Sequence, residues 1–211
     1  MSAPRVLVLG TGNQKKRREL EVLLAPLGFT LQTLADFPNP IEVVEDGESF
    51  AENAAKKASQ QAVHLGHWVL GEDSGLCVDA LKGAPGIYSA RFSGPGATDE
   101  SNNALLIEKL SGAPRAKRTG HYVCHMAIAA PTGEIVLTSE DTCHGILREQ
   151  PSGSGGFGYD PLFEIPEYRR TFGELGDSVK SVLSHRAKAS RKLARRLSAR
   201  PEVGFPATEA G

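Results

Sequence analysis

Cysteine is scarce in this chain. Cys77, Cys124 and Cys143 are the only three in 211 residues, far apart and with no C-x-x-C pair. An odd, dispersed set argues against a disulfide framework or a structural zinc site and points to a reducing compartment. Excess charge of either sign is also missing. Lys and Arg number 24 against 25 Asp and Glu, so whole-molecule steering to DNA or a membrane is not expected, and an anionic partner has to be caught locally. Long apolar runs are absent too. The opening MSAPRVLVLG is too short in apolar residues for a signal-peptide core or a membrane span. A cytoplasmic protein with no membrane or nucleic-acid partner is expected. There is no repeat and no clean linker, so residues 1–211 are read as a single domain, long enough for one sizeable core.

What is present is a regular alternation of patterns. Residues 5–10 read as a buried strand. Leu20, Leu23, Leu24 and Leu27 recur at i, i+3, i+4, i+7 and predict a helix, and 29–34 (FTLQTL) a second strand. That β-α-β unit implies parallel pairing with a right-handed crossover. A second helix is predicted over 49–65, with Phe50, Ala54, Ala58, Ala62 and Leu65 along one face. The run VLGEDSGLCVDAL (69–81) supplies a strand, and a third helix near 99–110 starts after Thr98 as N-cap. Residues 118–130 and 134–147 read as strands of a hairpin joined by PTGE. A short strand follows around Phe163, Thr171 and Glu174 have capping-box spacing, and a final helix is expected over 178–199, with Leu183, Ala187, Ala194 and Leu197 facing inward. The sum is an α/β domain with a mixed sheet, the antiparallel hairpin forming a second lobe.

Two features invite chemistry. In LGTGNQKKRREL (9–20) a strand gives way to a polar turn and a helix beginning near Gln14. Backbone N–H groups at such an N-terminus favour an anion, and Lys15 or Lys16 adds a full positive charge. The spacing matches neither a Walker A loop nor a dinucleotide fingerprint, and an ordinary strand–helix turn with solvated lysines fits this segment equally well. The second feature is acid in apolar surroundings: Glu72 and Asp73 in the 69–81 run, with Glu45 in VVEDGES. Burying an ionised carboxylate is costly unless something pairs with it. Magnesium takes hard oxygen ligands and completes its shell with water and substrate phosphates, and convergent carboxylates beside a phosphate turn suit that need. The competing reading is that Asp73 caps a turn at Ser74-Gly75. Asp79, beyond it, is read as structural.

In GFGYDPLF (156–163), glycines let a backbone approach a ligand closely and an aromatic face can stack on a base. A tight turn with core aromatics is the alternative. The last segment, KSVLSHRAKASRKLARRLSAR, carries eight Lys and Arg and no acid. Most of it reads as a solvated helix face, while Lys180, His185 and Arg186 lie at a helix start. His121 and His125 are four apart on a predicted strand and do not suit a zinc site. The absence of a G-x-S-x-G elbow leaves serine-hydrolase chemistry unsupported.

Taken in order, TGNQKK (11–16), EDGESFAENAAKKA (45–58), EDSGLCVDAL (72–81), GAPGIYSARF (83–92), GGFGYDPLF (155–163) and KSVLSHRAKA (180–189) resemble the inosine/xanthosine triphosphate pyrophosphatases. Where that family often has Asp-Asp-Ser-Gly, this chain has Glu72-Asp73-Ser74-Gly75. The resemblance implies an elongated α/β fold, a mixed sheet flanked by helices, of two lobes with the active cleft between them, and usually a homodimer. It implies Mg²⁺-dependent hydrolysis of ITP, dITP or XTP to the monophosphate and pyrophosphate. By position it assigns Thr11, Gly12, Asn13, Gln14, Lys15 and Lys16 to the triphosphate and Asp73 to catalysis. Asp73, Glu45 and Glu72 would serve the metal. Ser74, Phe157, Gly158, Tyr159, Asp160, Lys180, His185 and Arg186 would bind the nucleotide.

Overall fold

Short apolar runs alternating with capped amphipathic stretches build, in a computed structural model that describes residues 6–199, a seven-stranded mixed sheet and five α-helices. The elements are β1 (Val6–Leu9), α1 (Gln14–Leu24), β2 (Thr30–Thr33), α2 (Phe50–Leu65), β3 (Val69–Val78), α3 (Asp99–Lys109), β4 (Thr119–Ala129), β5 (Ile135–Leu147), β6 (Phe163–Ile165), β7 (Arg170–Thr171), α4 (Phe172–Leu183) and α5 (His185–Ser198). The sheet order is β2-β1-β3-β4-β5-β6-β7. β1 pairs in parallel with both β2 and β3, as a β-α-β crossover requires. β5–β6 and β6–β7 are antiparallel. The PTGE turn closes with Ala130 N–H on the Glu134 carbonyl at 2.9 Å and Gly133 N–H on Ala130 at 2.8 Å.

Helix starts fall where the sequence places them. Ser49 Oγ accepts from Glu52 N–H, and Thr98 and Thr171 form capping boxes with Ser101 and Glu174. Such a side chain satisfies a backbone donor that the first turn leaves open. The chain divides into two compact units. Among the described residues, one comprises 6–73, His125–Glu140 and 188–199, the other Ser74–Cys124 and Asp141–Ala187. Each has its own core. In the first, Val8, Val69, Ala127 and Ala129 of the strands pack with Ala54, Ala58 and Ala62 of α2. In the second, Leu76, Leu106, Tyr122, Leu147, Leu162, Phe163 and Phe172 are buried together.

The small alanine face of α2 lets the helix ride directly on β3. A Cβ added at Gly71 would stand 2.2 Å from the Ala54 carbonyl oxygen and 2.6 Å from the Ala58 nitrogen, both backbone atoms. Gly71→Ala is therefore expected to lower stability by roughly 1–3 kcal/mol, the range for overpacking, read as a shifted urea midpoint at unchanged slope.

Three expectations are corrected. Residues 69–78 form one unbroken strand, so Glu72, Asp73 and Ser74 lie mid-strand and Asp73 caps no turn. The helix expected over 178–199 is two helices. α4 is interrupted at Gly176 (φ 74°, ψ 179°), and Ser184, with ψ 156°, leaves helical geometry. Ser184 Oγ then accepts from Ala187 N–H at 3.1 Å and starts α5, so Lys180 lies at the end of α4 and His185-Arg186 at the start of α5. On α5 the buried positions are His185, Arg186, Ala187, Ala189, Ser190 and Leu193, while Ala194 and Leu197 are only half-buried. Asp79 is structural as expected, accepting from Thr119 Oγ1 at 2.6 Å.

Candidate active site

In the first unit, β1 runs into the polar turn and the turn organises itself. Thr11 Oγ1 accepts from Asn13 N–H at 3.2 Å. Asn13 Oδ1 accepts from the N–H groups of Lys15 (3.0 Å) and Lys16 (3.1 Å), so its side chain is the N-cap of α1. Gly12, Gln14 and Lys15 are exposed, and nothing lies within 4 Å of where a Cβ of Gly12 would stand. The ammonium of Lys16 turns back to Glu72, with Nζ 3.1 Å from Oε2.

Consecutive strand residues point to opposite faces, and Asp73 meets a different partner. Its Oδ1 is 3.1 Å from Lys57 Nζ and its Oδ2 accepts from Asn53 Nδ2 at 3.3 Å. The same Lys57 nitrogen lies 3.0 Å from Glu45 Oε2. Asn53 Oδ1 accepts from Gly47 N–H at 2.9 Å, tying the loop that carries Glu45 to α2. Glu72 and Asp73 are 1% and 5% exposed, so they shed most of their hydration. Burial pushes the Asp73 carboxyl above the usual range, against the pull of Lys57 and Lys16. Burial alone would lower Lys57, but Asp73, Glu45 and Glu72 together outweigh it and hold the ammonium above its ordinary value.

Lys57 and Asn53 were not among the residues singled out from sequence. Asn53, Lys57 and Gln61 recur every four residues beside the alanine stripe and are 0%, 8% and 2% exposed. A polar stripe adjoining an apolar one is the signal that would have found them, since a helix buries about three residues in seven.

In the second unit, the aspartate of the GFGYDP loop is an anchor. Asp160 is 1% exposed. Its Oδ2 accepts from Lys180 Nζ at 2.6 Å and from Phe157 N–H at 2.8 Å, and its Oδ1 lies 3.4 Å from the Tyr122 hydroxyl. Tyr159 is likewise buried, its hydroxyl donating to the Ser89 carbonyl at 2.9 Å. The loop thus turns Phe157 and Gly158 outward, both part-exposed, on two buried neighbours. Lys180 Nζ sits 4.2 Å from the centre of the Phe157 ring and the Arg186 guanidinium 5.9 Å from it. His185 stacks on Tyr122 with ring centres 4.7 Å apart and planes within 10°. Arg186 is buried and donates from Nη2 to Ser74 Oγ at 2.9 Å.

The structure therefore gathers Thr11, Asn13, Lys16, Glu45, Glu72 and Asp73 in the first unit. It gathers Ser74, Phe157, Gly158, Tyr159, Asp160, Lys180, His185 and Arg186 in the second. The peptide bond between Asp73 and Ser74 joins the two sets. No group of three His, Cys, Asp or Glu among the described residues is preformed to hold a metal. The oxygen donors nonetheless suit a hard cation: Glu45 and Asp73 already place one carboxylate oxygen each about 3 Å from a single ammonium nitrogen.

With this geometry in view, a sequence model described as the Ham1 family matches residues 7–196. The chain belongs to the Ham1 family. It is 52% identical over 185 residues to the dITP/XTP pyrophosphatase of Rhodopirellula baltica, covering 88% of this chain and 89% of that one. It is 51% identical over 187 residues to the dITP/XTP pyrophosphatase of an Exiguobacterium strain, covering 89% and 94%. The solved structure of a HAM1 protein from Coxiella burnetii superposes with a TM-score of 0.84 at 33% identity, covering 92% of this chain and 98% of that one. The Ham1 fold thus agrees with the α/β mixed sheet built above. No helix among the described residues is long and apolar enough to cross a membrane.

Proposed function

We propose that this Ham1-family protein hydrolyses non-canonical purine nucleoside triphosphates (ITP, dITP and XTP) to the monophosphate and pyrophosphate, in the presence of Mg²⁺. The observation that carries the reading is the convergence of Glu45 and Asp73 on one cation, Lys57, in the unit that also holds the 11–16 turn. The names of the bacterial relatives support it. Asp73 and Glu45 would hold the metal, with Glu72 beside them held by Lys16. Bound there, Mg²⁺ supplies charge neutralisation for the triphosphate and its leaving group.

The chain's own residues do the rest. Lys16 and the start of α1 attract phosphate oxygens. Asp73, held by Asn53 and Lys57, orients the attacking water, and either it or Glu72 accepts the proton. In the second unit, Phe157 offers a ring face to the purine, and His185 and Arg186, both buried, fix the surroundings. Hypoxanthine and xanthine carry a 6-keto acceptor where adenine carries an amino donor, so donors in this set favour the keto bases. The balanced charge and three free cysteines support a cytoplasmic setting, and the family resemblance supports a homodimer.

A panel of ITP, dITP, XTP, GTP and ATP with Mg²⁺ tests the selectivity. The first three are expected to turn over far faster than ATP. Equal rates on ATP would reject the reading.

A further inference from the structure

We infer that Asn103, on α3 and outside every set assigned above, determines base specificity by holding the Gly158 carbonyl and so fixing which backbone groups the 157–160 loop presents. This inference rests on the proposed keto-purine selectivity and says how the loop enforces it.

The loop's backbone is lopsided in hydrogen bonding. All four carbonyls are taken. That of Phe157 accepts from Asp160 N–H (3.3 Å), that of Tyr159 from Leu162 and Phe163 N–H (2.9 and 3.0 Å), and that of Asp160 from Gly173 N–H (3.0 Å). The Gly158 carbonyl accepts from Asn103 Nδ2 at 2.9 Å, across 55 residues of sequence. Its donor is a side chain from a different element, α3. The N–H groups of Gly158 and Tyr159, by contrast, have no partner among the described residues. Gly158 is part-exposed with φ 62°, and the space where its Cβ would stand is open to 4 Å. The Gly158 carbonyl is thus turned to Asn103, and the Gly158 and Tyr159 N–H groups are the donors left on this stretch.

Asn103 performs this at a cost. Its Oδ1 is buried with no hydrogen-bond partner among the described residues, an arrangement that destabilises a fold. An apolar side chain there would remove that orphan but leave the Gly158 carbonyl open. The bond to Gly158 is the favourable interaction of this side chain, and its consequence is chemical. An edge presenting N–H donors matches a purine keto oxygen and sets donor against donor for adenine's 6-amino or guanine's 2-amino group. A site left unpaired by the wrong ligand discriminates strongly. Asn103 acts through Gly158 and is a positioning residue.

The test compares kcat/KM for ITP, GTP and ATP in the wild type, Asn103→Leu and Asn103→Asp, each checked for a cooperative melt. Asp is isosteric but, when ionised, has no hydrogen to give Gly158, so it keeps the fold's shape while removing the donor. The ITP/ATP and ITP/GTP ratios are expected to fall by about tenfold or more in both variants, through KM more than kcat. A general loss of packing would lower all three substrates together. Folded variants with ratios within twofold of the wild type overturn the inference and leave the proposed function standing. A wild type that fails to prefer ITP rejects the proposed function itself, and this inference with it.

Discussion

Asp73→Asn is expected to lower turnover by about 10²–10⁴-fold, the usual contribution of a positioned base, while leaving the unfolding midpoint unchanged at pH 7. The two halves have separate causes. Turnover falls because an amide neither accepts the water's proton nor binds a hard cation well. Stability holds because burial raises the carboxyl's pKa above the unfolded value near 3.8. A group raised in this way contributes stability in full below that unfolded value and loses it as pH climbs through the folded one. At pH 7 the burial cost of the ionised carboxylate offsets its attraction to Lys57, and Lys57 keeps Glu45 as a partner, so removing this charge changes stability little. Asparagine imitates the protonated acid and can still accept from Asn53. Steady-state pyrophosphate release and a thermal melt check both halves. A near-normal rate would remove Asp73 from the chemistry, and a collapsed melt would make its charge structural.

Lys57→Met is expected to cost about 3–5 kcal/mol of stability at pH 7.5, the range for deleting one partner of a buried ion pair. The methionine keeps much of the lysine stem's packing and removes the charge shared by Glu45 and Asp73. Without it the Asp73 carboxyl pKa rises further. By the same sign rule, stability is recovered as pH falls and Asp73 takes up a proton. Urea midpoints at pH 7.5 and 5.5 check this. The gap between wild type and variant should narrow at the lower pH and in millimolar Mg²⁺. A gap independent of both would mean that Lys57 acts through packing alone.

The fold was legible wherever local chemistry decides structure. Thr98 and Thr171 announce helix starts because their side chains satisfy donors in the adjoining turn. The apolar runs flanking 69–78 predict a strand despite the acid inside it. The acids themselves were less readable, because what stabilises Asp73 comes from residues 53 and 57 and what stabilises Glu72 comes from residue 16. Sequence also showed 178–199 as one continuous helix. The break at Ser184 depends on a hydroxyl finding the Ala187 N–H, a local competition that periodicity does not register. In the GFGYDP loop the sequence marks Asp160 as polar and the structure makes it the buried hub for Lys180 and the Phe157 N–H. The part-exposed residues of that loop are its neighbours Phe157 and Gly158.

Identifying the products from ITP tests the central claim most directly. Wild-type protein incubated with ITP and Mg²⁺, and resolved by anion-exchange chromatography, should yield inosine monophosphate and pyrophosphate in equal amounts. Inosine diphosphate with orthophosphate would contradict it.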